Sequence, residues 1–101
     1  MATNQYLPLG TPIVAKATLK RRQENTRDGL RKVWQRVEVP RTGIVAGVRT
    51  LSEGDTHYMG EDGIVYYPDK YLSAYLIAWD ARRKLVLALV EDVTREEIER
   101  G

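Results

Sequence analysis

The feature that most constrains the fold of this chain is a period-two alternation of side chains beginning at Ile13. Successive side chains of a β-strand point to opposite faces, so alternation of this kind predicts a strand over residues 12–20 with one face buried. Pro12 is allowed at its start because the first residue of a strand need not donate to the ladder. The inward set is Ile13, Ala15, Ala17 and Leu19, and the outward set is Val14, Lys16, Thr18 and Lys20.

Further short apolar or β-branched segments follow, separated by glycine, proline and polar residues. They predict strands over residues 31–39, 42–51, 64–67, 72–79 and 84–90. The polar segments 21–30 and 52–63 are predicted to be exposed hairpin loops. Gly43 and Gly47 mark a bulge or a tight bend. A single turn over residues 91–93 and a capping pattern from Thr94 to Glu97 predict a brief terminal helix.

These elements together predict an all-β fold, a small and partly open barrel of five or six strands with a short C-terminal helical turn. A chain of 101 residues has room for one core. We therefore expect a flexible N-terminal arm over residues 1–10 and a single barrel domain over residues 11–101.

The last two strands are apolar on both faces, which indicates that both faces are covered. The amino-terminal arm, the final helical turn and a second copy of the chain are three possible covers. The third cover predicts a homodimer that forms through the hairpin from Tyr75 to Val90.

The composition argues against several functional classes. The chain has no cysteine, which excludes disulfides, thiolate nucleophiles and cysteine metal sites and fits a reducing, cytoplasmic location. The longest apolar run, Leu85 to Val90, is far shorter than the roughly 20 residues of a membrane helix. His57, the single histidine, is predicted to be a solvated loop residue. Neither Ser52 nor Ser73 lies in a nucleophile turn, so we expect no enzyme, no metal and no cofactor.

Charge is distributed unevenly along the sequence, with nine basic and three acidic residues between Lys16 and Arg41. In the predicted hairpin Trp34 and Arg36 share an outward face with Lys16 and Lys20. Cations around an aromatic ring suit single-stranded nucleic acid, because the cations bind phosphates and the ring stacks on bases. The candidate nucleic-acid contacts are Lys16, Lys20, Arg21, Arg22, Arg27, Arg31, Lys32 and Arg36.

A second set combines aromatic side chains with an acidic segment. Amphipathic aromatics are enriched at protein interfaces, so this set predicts a surface for a protein partner. Its members are Trp34, Tyr58, Tyr66, Tyr67, Asp55, Glu61 and Asp62. The acidic residues lack the spacing of a calcium-binding loop.

The segment Gly43–Leu51 (GIVAGVRTL), the hairpin Tyr75–Leu89 and the EDV that follows it resemble SH3-like barrels over roughly the last 60 residues. The chain is also similar to small accessory proteins of bacteriophages that infect actinobacteria. The resemblance implies a barrel that meets ligands with loops and an exposed aromatic face. We therefore expect a small non-enzymatic interaction module, a phage or bacterial accessory or regulatory protein that binds a protein partner. The alternative is a nucleic-acid-binding barrel that uses the basic hairpin of residues 16–41.

Overall fold

A computed structural model describes residues 6–27 and 29–96, and the structural statements below concern those residues. Within them the chain is built of strands and two short 3₁₀ turns, Gly60–Asp62 and Val90–Asp92. The strands are β1 (Pro12–Ala15), β2 (Thr18–Thr26), β3 (Gly29–Val37), β4 (Arg41–Tyr58), β5 (Ile64–Ala78), β6 (Val86–Leu89) and β7 (Val93–Arg95). The all-β prediction is confirmed. No helix in the described part of the chain has the length and apolar character needed to cross a bilayer.

The strands form one antiparallel sheet with the order β3-β2-β6-β5-β4-β1-β7, and a further pairing of β3 with β4 closes five of them into a ring. The barrel is therefore small and closed, which is compatible with an SH3-like fold. Its narrowest seam lies between β2 and β6, which pair through Leu19 and Leu87 alone. β1 and β7 lie outside the ring, with β1 paired to β4 and β7 paired to β1.

The two extra strands cover one face of the barrel. Ile13 of β1 and Val93 of β7 join a buried cluster with Tyr75 and Ile77, and Leu7 of the arm packs against it. The backbone N–H of Leu7 also donates to the Tyr75 hydroxyl over 2.7 Å. The cover that we inferred for the last strands is thus supplied within one chain. The need to cover these strands therefore no longer argues for a homodimer. The homodimer stays a prediction to be tested by mass measurement.

The C-terminal helical turn is present, although it lies earlier than the sequence predicted. It spans Val90–Asp92, immediately after β6. Thr94, which we expected to cap a helix, is extended in β7, and its backbone pairs with Val14. Pairing with β1 satisfies the backbone groups that a helix would have satisfied internally, whereas Glu97 lies outside the described residues.

The prediction of exposed loops over residues 21–30 and 52–63 is wrong, because most of these residues lie in strands. β2 runs on to Thr26 and pairs residue by residue with β3, and β4 runs on to Tyr58 opposite β5. Alternation is a signal of one-sided burial. The end of β2 is exposed on both faces, and the end of β4 mixes buried, half-buried and exposed residues without a period of two, so the pattern gave no sign of them. The molecule is consequently elongated, with principal extents of 65 × 37 × 21 Å.

Two irregularities in register shape the β4–β5 hairpin. One lies between Val45 and Gly47, as the glycines of this segment predicted. The other lies between Glu53 and Gly54, where β5 inserts Asp69 as an extra residue. At Gly54 a Cβ would overlap the carbonyl oxygen of Tyr67 and lie 2.7 Å from the Cα of Pro68, so only glycine fits this close approach of two backbones.

Candidate binding face on the distal sheet

The far ends of the two long hairpins join into a four-stranded sheet. Gly29–Lys32 of β3 pair with Gly54–His57 of β4, while β2 and β5 lie on either side. We call residues 21–26, 29–34, 52–58 and 64–71 the distal sheet. Directly opposed residues of neighbouring strands share a face, so the register assigns every side chain of this sheet to one of two faces.

One face of the distal sheet carries no carboxylate, and we call it the acid-free face. Tyr58 opposes Ile64, and Thr56 opposes Tyr66, so the aromatic residues of the second hairpin gather there. Arg21 opposes Trp34 in the first hairpin. The strand residues of this face are Arg21, Gln23, Asn25, Leu30, Lys32, Trp34, Ser52, Gly54, Thr56, Tyr58, Ile64, Tyr66, Pro68 and Tyr71. Its two formal charges, on Arg21 and Lys32, are both positive.

The other face, together with the bulge, holds the carboxylates of the same strands. Arg31 donates to Asp69 through both terminal nitrogens, at 2.9 and 3.1 Å, and to Asp55 at 3.2 Å. This guanidinium lowers the pKa of Asp69 below its usual value. Glu53 lies 3.8 Å from the Lys70 ammonium and accepts the backbone N–H of Trp34 at 2.8 Å. Glu53, Asp55 and Asp69 on this face each lie beside a cation, whereas the two cations of the acid-free face have no carboxylate on that face.

A hydrogen-bonded cluster occupies the middle of the acid-free face. The Lys32 ammonium donates to the Ser52 hydroxyl at 3.3 Å and lies 4.9 Å from the centre of the Tyr66 ring. The Ser52 and Tyr66 hydroxyls are 2.9 Å apart, and the indole N–H of Trp34 donates to the Ser52 carbonyl at 3.1 Å. A recess of about 190 Å³ adjoins this cluster, lined by Arg21, Gln23, Leu30, Lys32, Thr56 and Tyr66. It combines cations, an aromatic ring and amide groups.

The predicted partner-binding residues are divided between the two faces. Trp34, Tyr58 and Tyr66 lie on the acid-free face, with Trp34 half-buried and the tyrosines exposed. Asp55 and Tyr67 oppose each other on the other face. Glu61 is exposed in the 3₁₀ turn at the tip, and the backbone of Asp62 lies in the same turn.

The predicted nucleic-acid residues do not form one surface either. Trp34 and Arg36 oppose Arg21 and Leu19, so they do not share the face of Lys20, and Lys16 precedes β2. The expected register was wrong by one residue. The strand predicted over residues 12–20 is interrupted at Lys16–Ala17, and the turn after Thr26 sets the pairing of β2 with β3. Lys20, Arg21, Arg22 and Arg27 are exposed, Arg31 is ion-paired, and Lys32 belongs to the cluster around Ser52.

Arg36 and Lys16 have a structural role instead. Arg36 donates to both carboxylate oxygens of Asp92, at 2.8 and 3.0 Å, and Asp92 is buried. The Lys16 ammonium lies 3.9 Å from the same carboxylate, and its backbone N–H donates to the Asp92 carbonyl. This arrangement joins β3 and the connection between β1 and β2 to the C-terminal 3₁₀ turn. The two hydrogen bonds from Arg36 hold the pKa of Asp92 below its ordinary value.

This buried carboxylate predicts acid sensitivity. The pKa of Asp92 is lower in the folded state than in the unfolded chain, so the ion pair stabilises the protein fully above the unfolded pKa. The contribution is lost as the pH falls through the folded pKa, below the ordinary value of 3.8. We expect Asp92→Asn to lower the free energy of unfolding in urea at about pH 7, and we expect this difference from wild type to shrink as the pH falls below 3.8. A difference that stays constant across this range would contradict the prediction.

The structure places His57 and Ser52, two of the residues considered for catalysis, on the distal sheet. His57 is part of β4 and packs against Tyr67 with 5.2 Å between ring centres, so it is not the loop residue we predicted. It lies on the face opposite Ser52. The Ser52 hydroxyl accepts a hydrogen bond from the Lys32 ammonium, whereas a serine nucleophile needs a base that takes its own proton. Within the described residues no group of three or more histidine, aspartate or glutamate side chains could hold a metal ion.

A second aromatic surface, around Trp79, is occupied by the protein itself. The guanidinium carbons of Arg41 and Arg83 lie 4.4 and 5.8 Å from its ring centre. Its indole N–H donates to the Lys84 carbonyl at 3.1 Å. The ring and its polar edge therefore have partners, and the distal sheet is the better candidate site.

Comparison of the chain with protein-family models, curated proteins and solved structures finds no match. The candidate site therefore rests on geometry and chemistry.

Sequence reasoning missed Leu30, Ser52, Ile64 and Tyr71 as members of the acid-free face. The Asp28-Gly29 turn pair was available as a signal, since the turn of a hairpin sets its register. No local sequence signal predicts the pairing of β3 with β4, because this pairing joins two separate hairpins.

Proposed function

We propose that this protein is a non-enzymatic interaction module that binds a protein partner through the acid-free face of the distal sheet. The main observation behind the proposal is which side chains the register of the paired strands places on the same face. Three tyrosines (Tyr58, Tyr66 and Tyr71) and Trp34 share a face on which the described strand residues include no carboxylate. Protein interfaces are enriched in tyrosine, tryptophan and arginine and are depleted of aspartate and glutamate.

Exposure and rigidity support the same proposal. The exposed fractions are 57% for Tyr58, 66% for Ile64, 36% for Tyr66 and 65% for Tyr71. A face of this kind buries apolar area when a partner covers it. Because the face is built on paired strands, little conformational entropy is lost on binding. A phage or bacterial accessory role and a cytoplasmic location belong to this proposal as expectations from the sequence.

Nucleic acid is the second candidate, and the geometry favours it less. Lys16, Arg31 and Arg36 form ion pairs with carboxylates and are not free for phosphates. Two cations, Arg21 and Lys32, lie beside the exposed tyrosines.

A photo-crosslinking experiment tests the proposal. p-Benzoylphenylalanine at Tyr66 should capture a protein from cells that contain this protein, and the purified partner should then bind the unmodified chain. We expect Tyr66→Ser to weaken that affinity by about tenfold or more, because a tyrosine at the centre of an interface acts as a hot spot.

The matched control is the neighbouring residue Tyr67, which lies on the other face and is 48% exposed. Tyr67→Ser should change the affinity by less than about twofold. Equal effects of the two substitutions would sink the proposal. Capture that disappears after nuclease treatment would favour the nucleic-acid candidate instead.

A further inference from the structure

The distal sheet has two outer strands, and their edges differ. β2 pairs with β3 along its length and with β6 at Leu19 alone, so residues 20–26 have no second neighbour among the described strands. β5 pairs with β6 from Ala74 onward, so residues 64–71 also form an edge. Alternate residues of an edge strand direct their backbone N–H and C=O groups outward, where another strand can pair with them.

The β5 edge is blocked by its own backbone. Pro68 has no N–H to donate, and the bulge at Asp69 interrupts the regular spacing of hydrogen-bonding groups. Both features are recognised ways of protecting a sheet edge from pairing.

The β2 edge carries neither form of protection. Residues 18–26 contain no proline and no glycine, and their pairing with β3 is regular over all nine positions. What distinguishes this edge is charge, since Lys20, Arg21 and Arg22 are consecutive and exposed. No ion pair between described residues includes any of the three.

This charge decides which strand can pair there. A second copy of the chain would bring three more cations and only one carboxylate, that of Glu24, to the same edge, and like charges on neighbouring strands repel. A strand rich in carboxylates would neutralise them. Alternate side chains of such a strand would point to the acid-free face beside Arg21 and Gln23, where the recess of about 190 Å³ opens.

We propose that the free edge of β2 binds an extended acidic segment of the protein partner by β-strand addition, with its carboxylates paired to Lys20, Arg21 and Arg22. This inference rests on the proposed function and names the chemistry of the partner. Main-chain hydrogen bonds supply affinity in this mode of recognition, and the side-chain contacts supply specificity.

The test uses the full chain and a fluorescein-labelled octapeptide of alternating glutamate and valine. Fluorescence anisotropy at low salt should give saturable binding, and hydrogen exchange should slow at outward-facing amides of residues 20–26. A lysine–valine octapeptide should not bind. The glutamate–valine peptide methylated on every backbone nitrogen keeps its charge but should bind at least about tenfold more weakly, because neither of its edges can donate hydrogen bonds.

Substitutions then separate strand addition from general charge attraction. The triple variant Lys20→Ala, Arg21→Ala, Arg22→Ala should weaken binding by about tenfold or more. The control triple variant Arg49→Ala, Arg82→Ala, Arg95→Ala removes the same charge at exposed positions away from the β2 edge, and it should bind nearly as wild type.

Three results would overturn the inference: equal weakening by the two triple variants, equal binding of the methylated peptide, or no binding of the acidic peptide. An oligothymidylate of about 20 nucleotides that binds while the peptide does not would assign these cations to nucleic acid. The proposed function fails separately, when Tyr66→Ser leaves the affinity for the purified partner unchanged. If the peptide fails to bind but the affinity for the purified partner still depends on Tyr66, strand addition alone is removed.

Discussion

Ile77→Asp is expected to unfold the protein. Ile77 has no exposed surface and lies at the centre of the cluster that joins the barrel to β1 and β7. The substitution removes the buried aliphatic side chain, which costs about 2–5 kcal/mol, and adds the cost of burying a polar or charged group without a partner. Together these exceed the lower end of the 5–15 kcal/mol that stabilises typical domains. Circular dichroism should show loss of the cooperative thermal transition.

Ile77→Val is the matched control, since it keeps an apolar β-branched residue and should cost about 1 kcal/mol. A folded Ile77→Asp protein with a transition near that of wild type would contradict the packing described here. This result also bears on the predicted homodimer. Because Ile77 is buried within one chain, loss of a dimer in this variant would report unfolding, so the dimer should be tested by the mass of the wild-type protein across concentrations.

Gly54→Val should destabilise the protein by more than about 3 kcal/mol, although valine ordinarily favours a strand. The reason is steric, because a Cβ at this position overlaps the carbonyl oxygen of Tyr67 on β5. The strands can accommodate it only by separating next to the bulge, which breaks the pairing of Gly54 with Lys32 and with Pro68. Urea unfolding should give a lower midpoint, and partner capture at Tyr66 should fall with it.

Gly47→Ala is the control for this effect. A Cβ at Gly47 would meet Leu76 at 3.8 Å, which is ordinary van der Waals contact. We expect a change within about 1 kcal/mol of wild type, in either direction, because alanine also restricts the unfolded chain. If Gly54→Val and Gly47→Ala had similar stabilities, the close approach at Gly54 would not be the constraint that we infer.

The part of the fold that sequence could predict is the part that buries one face. The alternation from Ile13 to Leu19 and the apolar segments of β5 and β6 were identified as strands, and these strands supply most of the core. The parts of the hairpins that belong to the barrel can therefore be predicted from the local pattern of apolar and polar residues. The missed boundary between β1 and β2 lies at Lys16–Ala17, where the backbone N–H of Lys16 donates to Asp92, more than seventy residues away.

The candidate site was predictable in composition but not in arrangement. Trp34, Tyr58 and Tyr66 can be proposed from the sequence because amphipathic aromatic residues are enriched at protein interfaces. Their separation from Asp55 and Tyr67 depends on strand continuation through residues 52–58, a segment whose glycine and acids favoured a loop. A shift of one residue in a strand exchanges its two faces. Because the sequence does not give the register, it could not predict which candidate residues share a face.

Sequence by itself determined the class of fold, the small barrel, the absence of cysteine chemistry and the unequal distribution of charge. Tertiary structure decided which carboxylates neutralise which cations and which side chains share a face. Arg31 meets Asp69 and Arg36 meets Asp92 only because β3 crosses to partners far along the chain. The physical reason is that burial leaves a local periodic signal, whereas the register between strands is fixed by backbone hydrogen bonds and close glycine contacts between distant segments.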